Sequence, residues 1–176
     1  MTRELTEEES KSFKERSIQP RVYEVAYDAV VLIGNKVGID STVTVSQIVD
    51  LLKGVKNGNS SLVLHDPNSS LLRYFRELGN IDKVANTYVA LEDQAADVLK
   101  HVATQSNKIG LISLNQYLSL KSSFIENDKI RILSVLNDKL DTPKYVKPSQ
   151  ASLSTDEYPL KRTIYVLNYQ PILDWV

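Results

Sequence analysis

A long run of strand-forming residues near the start of the chain, VYEVAYDAVVLIG at positions 22–34, is the strongest constraint on the fold. Its residues are mainly β-branched, aliphatic or aromatic, the types that favour an extended backbone. In its second half nearly every residue is apolar, so both faces of the strand need to be covered. The run therefore predicts a buried central strand in a layered domain.

Helical and extended segments alternate along the rest of the chain. Two capping-box patterns, Thr6 with Glu9 and Thr44 with Gln47, predict a helix directly after each. The predicted helices cover residues 7–16, about ten residues from 45 to a stop at Gly54, 71–78 and 88–105. The predicted strands cover 22–34, 61–65, 109–113, 130–136 and 162–169, and a polar excursion covers 138–156. This alternation predicts an α/β sheet with helices on its faces.

Composition excludes several classes of function. With 176 residues and 42% hydrophobic content, the chain can bury one substantial core, as one domain or two small lobes. Its 21 basic and 22 acidic residues nearly cancel, so we expect no nucleic-acid partner and no attraction to an anionic membrane. The chain has no cysteine, which removes disulfides, thiolate metal sites and thiol nucleophiles together.

The opening segment, MTRELTEEESKSFKERS, is acidic and helical in pattern. A signal peptide is basic and then apolar, so this segment does not resemble one. No apolar run approaches the roughly 20 residues that span a bilayer. We therefore expect either a cytosolic protein or a chain that lacks its natural beginning.

The strongest candidate for a binding site joins a predicted strand to a predicted helix and consists of His65, Asp66, Pro67, Asn68, Ser69 and Ser70. The first amide N–H groups of a helix have no internal partners, and the helix dipole adds positive potential, so they can hold an anion. Ser69 and Ser70 would add hydroxyl donors. Arg73, one turn into the helix, could bring a guanidinium to a bound oxyanion. The alternative is a plain N-cap at Asn68 or Ser69 without any ligand.

Other polar residues are interpreted structurally. Three acids at positions 7–9 favour a solvated first turn of a helix over a metal site. His65 and Asp66 are adjacent on a strand and point to opposite faces, so they do not form a catalytic dyad. Asp28 is interpreted as a hydrogen-bonded structural carboxylate, with a ligand-facing group as the alternative. His101 is expected to be exposed on a helix. We therefore expect no catalytic site, no metal and no cofactor.

Six short stretches occur in an order similar to that of a known family. They are TRELTEEE at 2–9, VAYDAVVLI at 25–33, VTVSQIVDLLKG at 43–54, DPNSS at 66–70, IGLIS at 109–113 and YPLKR at 158–162. They resemble the motifs of the phosphate-binding proteins of ABC importers, the PstS family within the type II periplasmic-binding fold. The resemblance covers most of the chain.

This resemblance implies an α/β fold, namely a periplasmic-binding-protein-like type II lobe with two crossing hinge strands and helices on both sheet faces. Residues 1–34 and 159–176 would be a remnant of the first lobe plus the hinge strands, and residues 35–158 would form the second, ligand-binding lobe. The crossing strands, near 26–33 and 162–168, are expected to be neighbours. The family's N-terminal part of the first lobe and its C-terminal helices have no counterpart in this sequence.

By the same resemblance, the implied ligand-binding residues are Arg3, Asp66, Asn68, Ser69 and Ser70, with Asp66 ordering the loop. The sequence departs from the family in two places. Leu64 stands where the well-known phosphate binders have an arginine, and both loop glycines are replaced in DPNSS. We expect Arg73 to supply the missing guanidinium from the helix side.

The implied function is that of an extracytoplasmic solute-binding protein, periplasmic or lipoprotein-anchored, and not an enzyme. It would bind inorganic phosphate or a similar oxyanion and deliver it to the membrane subunits of an ABC importer. The alternative is an interaction or structural domain that keeps the fold without a competent ligand site. Ligand screening separates the two, because a ligand that binds only the folded chain raises its stability.

Self-association is also expected, because a chain with little of the first lobe leaves apolar strands uncovered. The apolar residues expected to lose their cover are Val30, Leu32, Ile164, Val166, Ile172 and Trp175. Contact between copies would use the N-terminal helix and the C-terminal strand.

Overall fold

The computed structural model of the chain describes residues 4–38, 40–56, 58–66 and 69–169. By its internal contacts the chain divides into two compact units. The first unit comprises Met1–Asp28 and Arg162–Val176, and the second unit comprises Ala29–Lys161. Among the described helices, none has the length and apolar character required to cross a membrane.

Nine strands and six helices form the described part of the chain. The strands are β1 (Arg21–Asn35), β2 (Thr42–Val43), β3 (Ser61–His65), β4 (Val89–Glu92), β5 (Lys108–Ser113), β6 (Ile130–Ile132), β7 (Ser134–Asn137), β8 (Lys144–Val146) and β9 (Lys161–Asn168). The helices are α1 (Glu7–Glu15), α2 (Val45–Leu52), α3 (Ser70–Gly79), α4 (Ala95–Thr104), α5 (Leu114–Lys121) and α6 (Gln150–Ser154).

The main sheet has the strand order β4-β3-β5-β1-β6, and β9 also pairs with β1. Strand β3 is parallel to both β4 and β5, whereas β1 runs antiparallel to β5 and β6. A smaller sheet has the order β2-β7-β8. The predicted α/β class is confirmed, and so is the pairing of the two predicted crossing strands.

Alternate residues of the central strands pack against different sets of helices. Leu62 and Leu64 of β3 belong to the same hydrophobic cluster as residues of α2 and α3. Val63, between them, belongs to a second cluster with α4 and with Tyr117 of α5. Because side chains alternate across a strand, the helices cover both faces of the sheet, as predicted.

Strand β1 changes character along its length. Residues 21–27 are all exposed, whereas residues 28–35 are all buried. The buried part includes Val30 and Leu32, each fully buried within the second unit. The expectation that these two residues would be left uncovered is therefore wrong, because β5 and the helices of the second unit enclose them.

Two predicted elements are each divided in the structure. The helix predicted over 88–105 is β4 followed by α4, and Leu91 of β4 is 49% exposed instead of lying on a buried helix face. The strand predicted over 130–136 is β6 and β7, which belong to different sheets. The polar excursion contains β8 and α6, and α5 was not predicted. In both divided elements, pairing with other strands determines the structure. The spacing of apolar residues along the sequence does not reveal this pairing.

The end of α3 shows two roles for adjacent residues. Asn80 adopts the left-handed backbone conformation that closes the helix, with φ of 49°. Gly79 is the last helical residue, and a Cβ atom there would lie 2.8 Å from Cγ1 of Val49 in α2. Gly79 therefore permits close packing of α3 on α2, and Asn80 is the residue that closes the helix.

The first unit has little buried surface. Helix α1 has no buried residue, although its Thr6 and Glu9 form the predicted capping box. Phe13 of α1 contacts Tyr169 with ring centroids 6.3 Å apart. Two charged residues are the exception, since Asp28 and Arg162 are both buried and form an ion pair. Ile172 and Trp175, named above as apolar surface, lie outside the described residues.

Candidate functional site

The carboxyl ends of three parallel strands carry the candidate site. Strands β3, β4 and β5 are in parallel register, with His65 beside Glu92 and Leu64 beside Leu111. At the carboxyl end of each strand the apolar residues give way to polar ones. In open α/β sheets, ligands bind beyond the carboxyl ends of the strands. This edge is therefore the part of the second unit best suited to bind a small molecule.

Helix α3 begins directly at this edge. Ser69 is its N-cap, and the Ser69 side chain accepts a hydrogen bond from the Leu72 N–H at 3.3 Å. The hydroxyl hydrogen of Ser69 can still be donated to a ligand. Ser69 and Ser70 are half-buried, so they are reachable from solvent. The N-cap alternative is thus correct in geometry, and it does not exclude a ligand.

A tight turn precedes the helix. Asp66 is exposed and has a left-handed backbone with φ of 57°. Its carbonyl accepts a hydrogen bond from the Ser69 N–H at 3.0 Å. This N–H is therefore engaged within the turn and is not available to an anion in this conformation. The role that the resemblance implies for Asp66, ordering the loop, remains a prediction.

Arg73 lies one turn into α3, as expected. Its Nε atom is 3.9 Å from Oε1 of Glu77, one turn further along the helix, and both side chains are largely exposed. The pair is long and solvated, so it restrains the guanidinium only weakly.

Three residues of the predicted site, Arg3, Pro67 and Asn68, lie outside the described residues. Their implied roles remain predictions, and the described site consists of Asp66, Ser69 and Ser70, with Arg73 nearby.

A second helix begins at the same edge, and the sequence analysis missed it. Ser113, the last residue of β5, is the N-cap of α5 and forms a capping box with Gln116. The Gln116 side chain also lies within hydrogen-bond distance of Nε2 of His65, at 3.1 Å from its own Nε2. The Ser-x-x-Gln pattern at 113–116 was the signal that could have revealed this helix.

The other histidine lies further along the same edge. His101 of α4 bonds through Nδ1 to Oε1 of Glu92, the residue beside His65 in the sheet. Its side chain is 19% exposed, so the expectation of an exposed His101 is wrong. The sequence pattern predicted a helix over residues that form β4. The contact between His101 and Glu92 of β4 was therefore not predicted.

A buried hydroxyl and a buried ion pair lie away from this edge. Tyr158 donates to the carbonyl of Val30 at 2.8 Å, and burial raises the pKa of its hydroxyl far above the usual range. Asp28 pairs with Arg162, which agrees with the structural interpretation of Asp28. Across the described ranges, no group of three or more His, Cys, Asp or Glu side chains could hold a metal ion.

Comparisons with known proteins agree with this architecture. The profile of the PBP superfamily domain matches residues 1–173. An ABC-type phosphate transport receptor from Vibrio cholerae superposes with a TM-score of 0.71 at 17% identity, over 99% of this chain and 67% of that one. A possible phosphate binding protein from Planctomyces limnophilus gives 0.68 at 19% identity, over 96% of this chain and 62% of that one.

A third similar structure is a putative phosphate ABC transporter substrate-binding protein from Clostridium perfringens. Its TM-score is 0.63 at 19% identity, over 96% of this chain and 64% of that one. The chain thus spans about two thirds of the length of these proteins. No curated protein matches it by sequence. Since the family profile covers nearly the whole chain and the fold is shared, the chain belongs to the PBP superfamily.

Proposed function

We propose that the chain is a solute-binding module for inorganic phosphate or a similar tetrahedral oxyanion, and not an enzyme. The observation that carries this proposal is the placement of α3, whose capped N-terminus opens at the carboxyl edge of three parallel strands. The helix dipole and the hydroxyl groups of Ser69 and Ser70 at such a point favour an anion without needing net charge.

Each site residue has a distinct part in the proposal. Ser69 and Ser70 donate hydroxyl hydrogens to ligand oxygens, Asp66 holds the turn, and Arg73 supplies positive charge by releasing Glu77. Arg3 and Asn68 complete the ligand set that the resemblance implies. Bidentate contact with a guanidinium would favour a tetrahedral oxyanion over a spherical anion such as chloride.

The similar structures support a biological setting for this module. Two of them are described as phosphate receptors or binding proteins of ABC transporters. By analogy the chain delivers its ligand to the membrane subunits of an ABC importer and works outside the cytoplasm, in the periplasm or as a lipoprotein. Residues 1–34 with 159–176 belong to the first lobe and its hinge strands, and residues 35–158 form the ligand-binding lobe.

An interaction or structural domain without a competent ligand site is the second candidate. The observations in its favour are Leu64 in the place of the family arginine and a Ser69 N–H that is already bonded to Asp66. If it is correct, the fold would be retained for contacts with other proteins.

Calorimetry and thermal unfolding of the full chain with phosphate, sulfate and molybdate would test the proposal. Saturating ligand at about 100 times its Kd should stabilise the fold by about 2.7 kcal/mol. Ser70→Ala should weaken binding, whereas Ser119→Ala, which removes an exposed hydroxyl from α5, should not. If none of the three anions stabilises the fold, the second candidate replaces the first.

We propose in addition that copies of the chain self-associate through the first unit. Several of its large apolar side chains are exposed, including Tyr23, Val25, Tyr27, Val166 and Tyr169 at 48–58%. A groove of about 710 Å³ in the same unit is lined by both Lys14 and Glu24. A two-fold contact places the same surface on both partners, so a surface with both charges can complement itself.

Light scattering after size-exclusion chromatography would test this contact. Val25→Lys should shift the chain towards monomer, because a charge would be buried between copies. Ile125→Lys is the matched control, since Ile125 is 96% exposed and lies in the second unit. A wild-type chain that is monomeric at all concentrations would exclude the contact.

A further inference from the structure

The amide of Gln116 has a defined orientation. Its Oε1 atom accepts from the Ser113 hydroxyl at 3.1 Å and from the Ser113 backbone N–H at 3.5 Å. A backbone N–H can only donate, so the side-chain atom that faces it must be the carbonyl oxygen. The amide nitrogen of Gln116 is then the atom that lies 3.1 Å from Nε2 of His65.

This orientation favours one tautomer of His65. The side-chain nitrogen of Gln116, a donor only, lies 3.1 Å from Nε2 of His65, and the side-chain oxygen lies further away, at 3.4 Å, so the shorter contact favours Nε2 as an acceptor. A neutral imidazole has one acceptor and one donor nitrogen, which places the proton of His65 on Nδ1. A proton on Nε2 would instead face the amide nitrogen at 3.1 Å, with the Gln116 oxygen at 3.4 Å as its longer acceptor.

His65 is also the residue from which the anion loop departs. It is the last residue of β3, and the next residue, Asp66, has the left-handed backbone that turns the chain towards Ser69. A non-glycine residue at positive φ needs support from its surroundings. The described contacts of the His65 ring are with Gln116, 51 positions away in sequence, so α5 holds the residue that directly precedes Asp66.

We propose that Gln116 holds the imidazole of His65 as the Nδ1–H tautomer and that this bond positions the anion loop beginning at Asp66. His65 and Gln116 are then positioning residues of the site. Only the predicted effect on ligand affinity rests on the proposed oxyanion binding. The capping box of α5 and the shape of the loop before α3 are thereby coupled.

Gln47 provides a matched control for Gln116. It forms the same capping box with Thr44 at the start of α2, with its Oε1 accepting from the Thr44 N–H at 2.8 Å. The described hydrogen bonds of Gln47 do not include a histidine. Gln116→Met and Gln47→Met therefore remove the same cap bond, and only the first removes the contact with His65.

The first measurement is ¹⁵N NMR of the imidazole rings in the full chain. The sequence has two histidines, and the signals lost in His65→Asn identify those of His65. We expect a protonated Nδ1 and an unprotonated Nε2. In Gln116→Glu the carboxylate can only accept, so the proton should move to Nε2. A proton on Nε2 in the wild type would overturn the proposal.

The second measurement is hydrogen exchange of the Ser69 amide, which closes the turn and needs no ligand. Gln116→Met should raise its exchange rate about fivefold, the effect of losing one neutral hydrogen bond, and Gln47→Met should leave it unchanged. Equal effects of the two variants, or none from Gln116→Met, would exclude the positioning role.

Phosphate affinity provides the third measurement. If the chain binds phosphate, Gln116→Met should raise the Kd about fivefold and Gln47→Met should not change it. Equal Kd values for the two variants would contradict the positioning role. A wild-type chain that binds no phosphate but shows the expected tautomer and exchange rates would exclude the proposed function and leave the positioning role intact.

Discussion

The two units differ in how they are stabilised. The second unit encloses its strands between two hydrophobic clusters, one with α2 and α3 and the other with α4. The first unit consists of a helix without buried residues and strand segments whose apolar side chains are largely exposed. Strand β1 contributes to both and changes from exposed to buried between Tyr27 and Asp28. Both parts of β1 are extended, but only the second part is buried, so we expect the second unit to be the more stable one, because burial supplies most of the free energy.

The difference also separates two kinds of polar contact. In the second unit, polar side chains gather at the carboxyl edge of the sheet, where they remain accessible to a ligand. In the first unit, Asp28 and Arg162 are buried together, with side-chain exposures of 10% and 4%. A buried pair of this kind holds two strands in place and is unsuited to exchange its partner for a ligand.

The largest difference between the units should follow from truncating an aromatic residue in each. Phe75 of α3 is fully buried in the second unit, so Phe75→Ala should lower the free energy of unfolding by about 3–5 kcal/mol. Tyr23→Ala in the first unit should change it by less than about 0.5 kcal/mol, since Tyr23 is 48% exposed. Urea unfolding followed by far-UV circular dichroism, at a concentration where the chain is monomeric, measures both. Equal losses of unfolding free energy in the two variants would contradict the difference between the units.

Substitution in the buried ion pair should destabilise the chain about as much as substitution of a core residue, although the pair belongs to the first unit. Asp28→Ala leaves the Arg162 guanidinium buried without its carboxylate, so we expect a loss of about 3 kcal/mol. The double variant Asp28→Leu with Arg162→Met should recover most of this loss, because no uncompensated charge remains. A single variant as stable as the wild type in urea unfolding would show that the pair is solvated.

Alkaline pH should destabilise the second unit through Tyr158. Burial raises the pKa of its hydroxyl in the folded chain, whereas the unfolded chain releases this proton near pH 10. The contribution is therefore complete below about pH 10 and falls by about 1.4 kcal/mol for each further pH unit. Tyr158→Phe should flatten this decline in urea unfolding between pH 9 and 11, after losing about 1 kcal/mol at neutral pH. A variant with the same slope as the wild type would contradict this assignment.

The smallest difference should come from removing helix caps. Thr44→Ala removes the N-cap of α2, which packs in the core, and should cost about 1 kcal/mol of global stability. Thr6→Ala removes the same type of cap from α1, which buries nothing, so only local helicity should fall. Hydrogen exchange and urea unfolding of the two variants distinguish the local loss from the global one.

Much of the fold was predictable because its signals are local. The capping boxes at Thr6 and Thr44 and the strand at 61–65 agree with the structure. The candidate loop was found for the same reason, since a strand, a polar turn and a helix follow one another directly. The missed helix α5 carried a capping box at Ser113, but its first turn is joined to β5 without any loop residue.

Other features could not be read from neighbouring residues. Residues 89–92 form β4 because β3 lies beside them, and their apolar spacing also fits a helix. Residues 130–137 divide between two sheets because Leu133 bonds to Leu32 in β1 while Ser134 bonds to Ser41 beside β2. In both cases the deciding hydrogen bonds join residues distant in the sequence.

The sequence by itself determined the α/β class, the central strand, the order of most elements and the junction between β3 and α3 where the candidate site lies. These depend on side-chain period, capping and turn chemistry within a few residues. Only the tertiary structure decided that Asp28 pairs with Arg162, 134 positions away, and that His65 meets Gln116. The physical reason is that such contacts form when the chain closes long loops around a buried sheet, and this closure leaves no periodic pattern in the sequence.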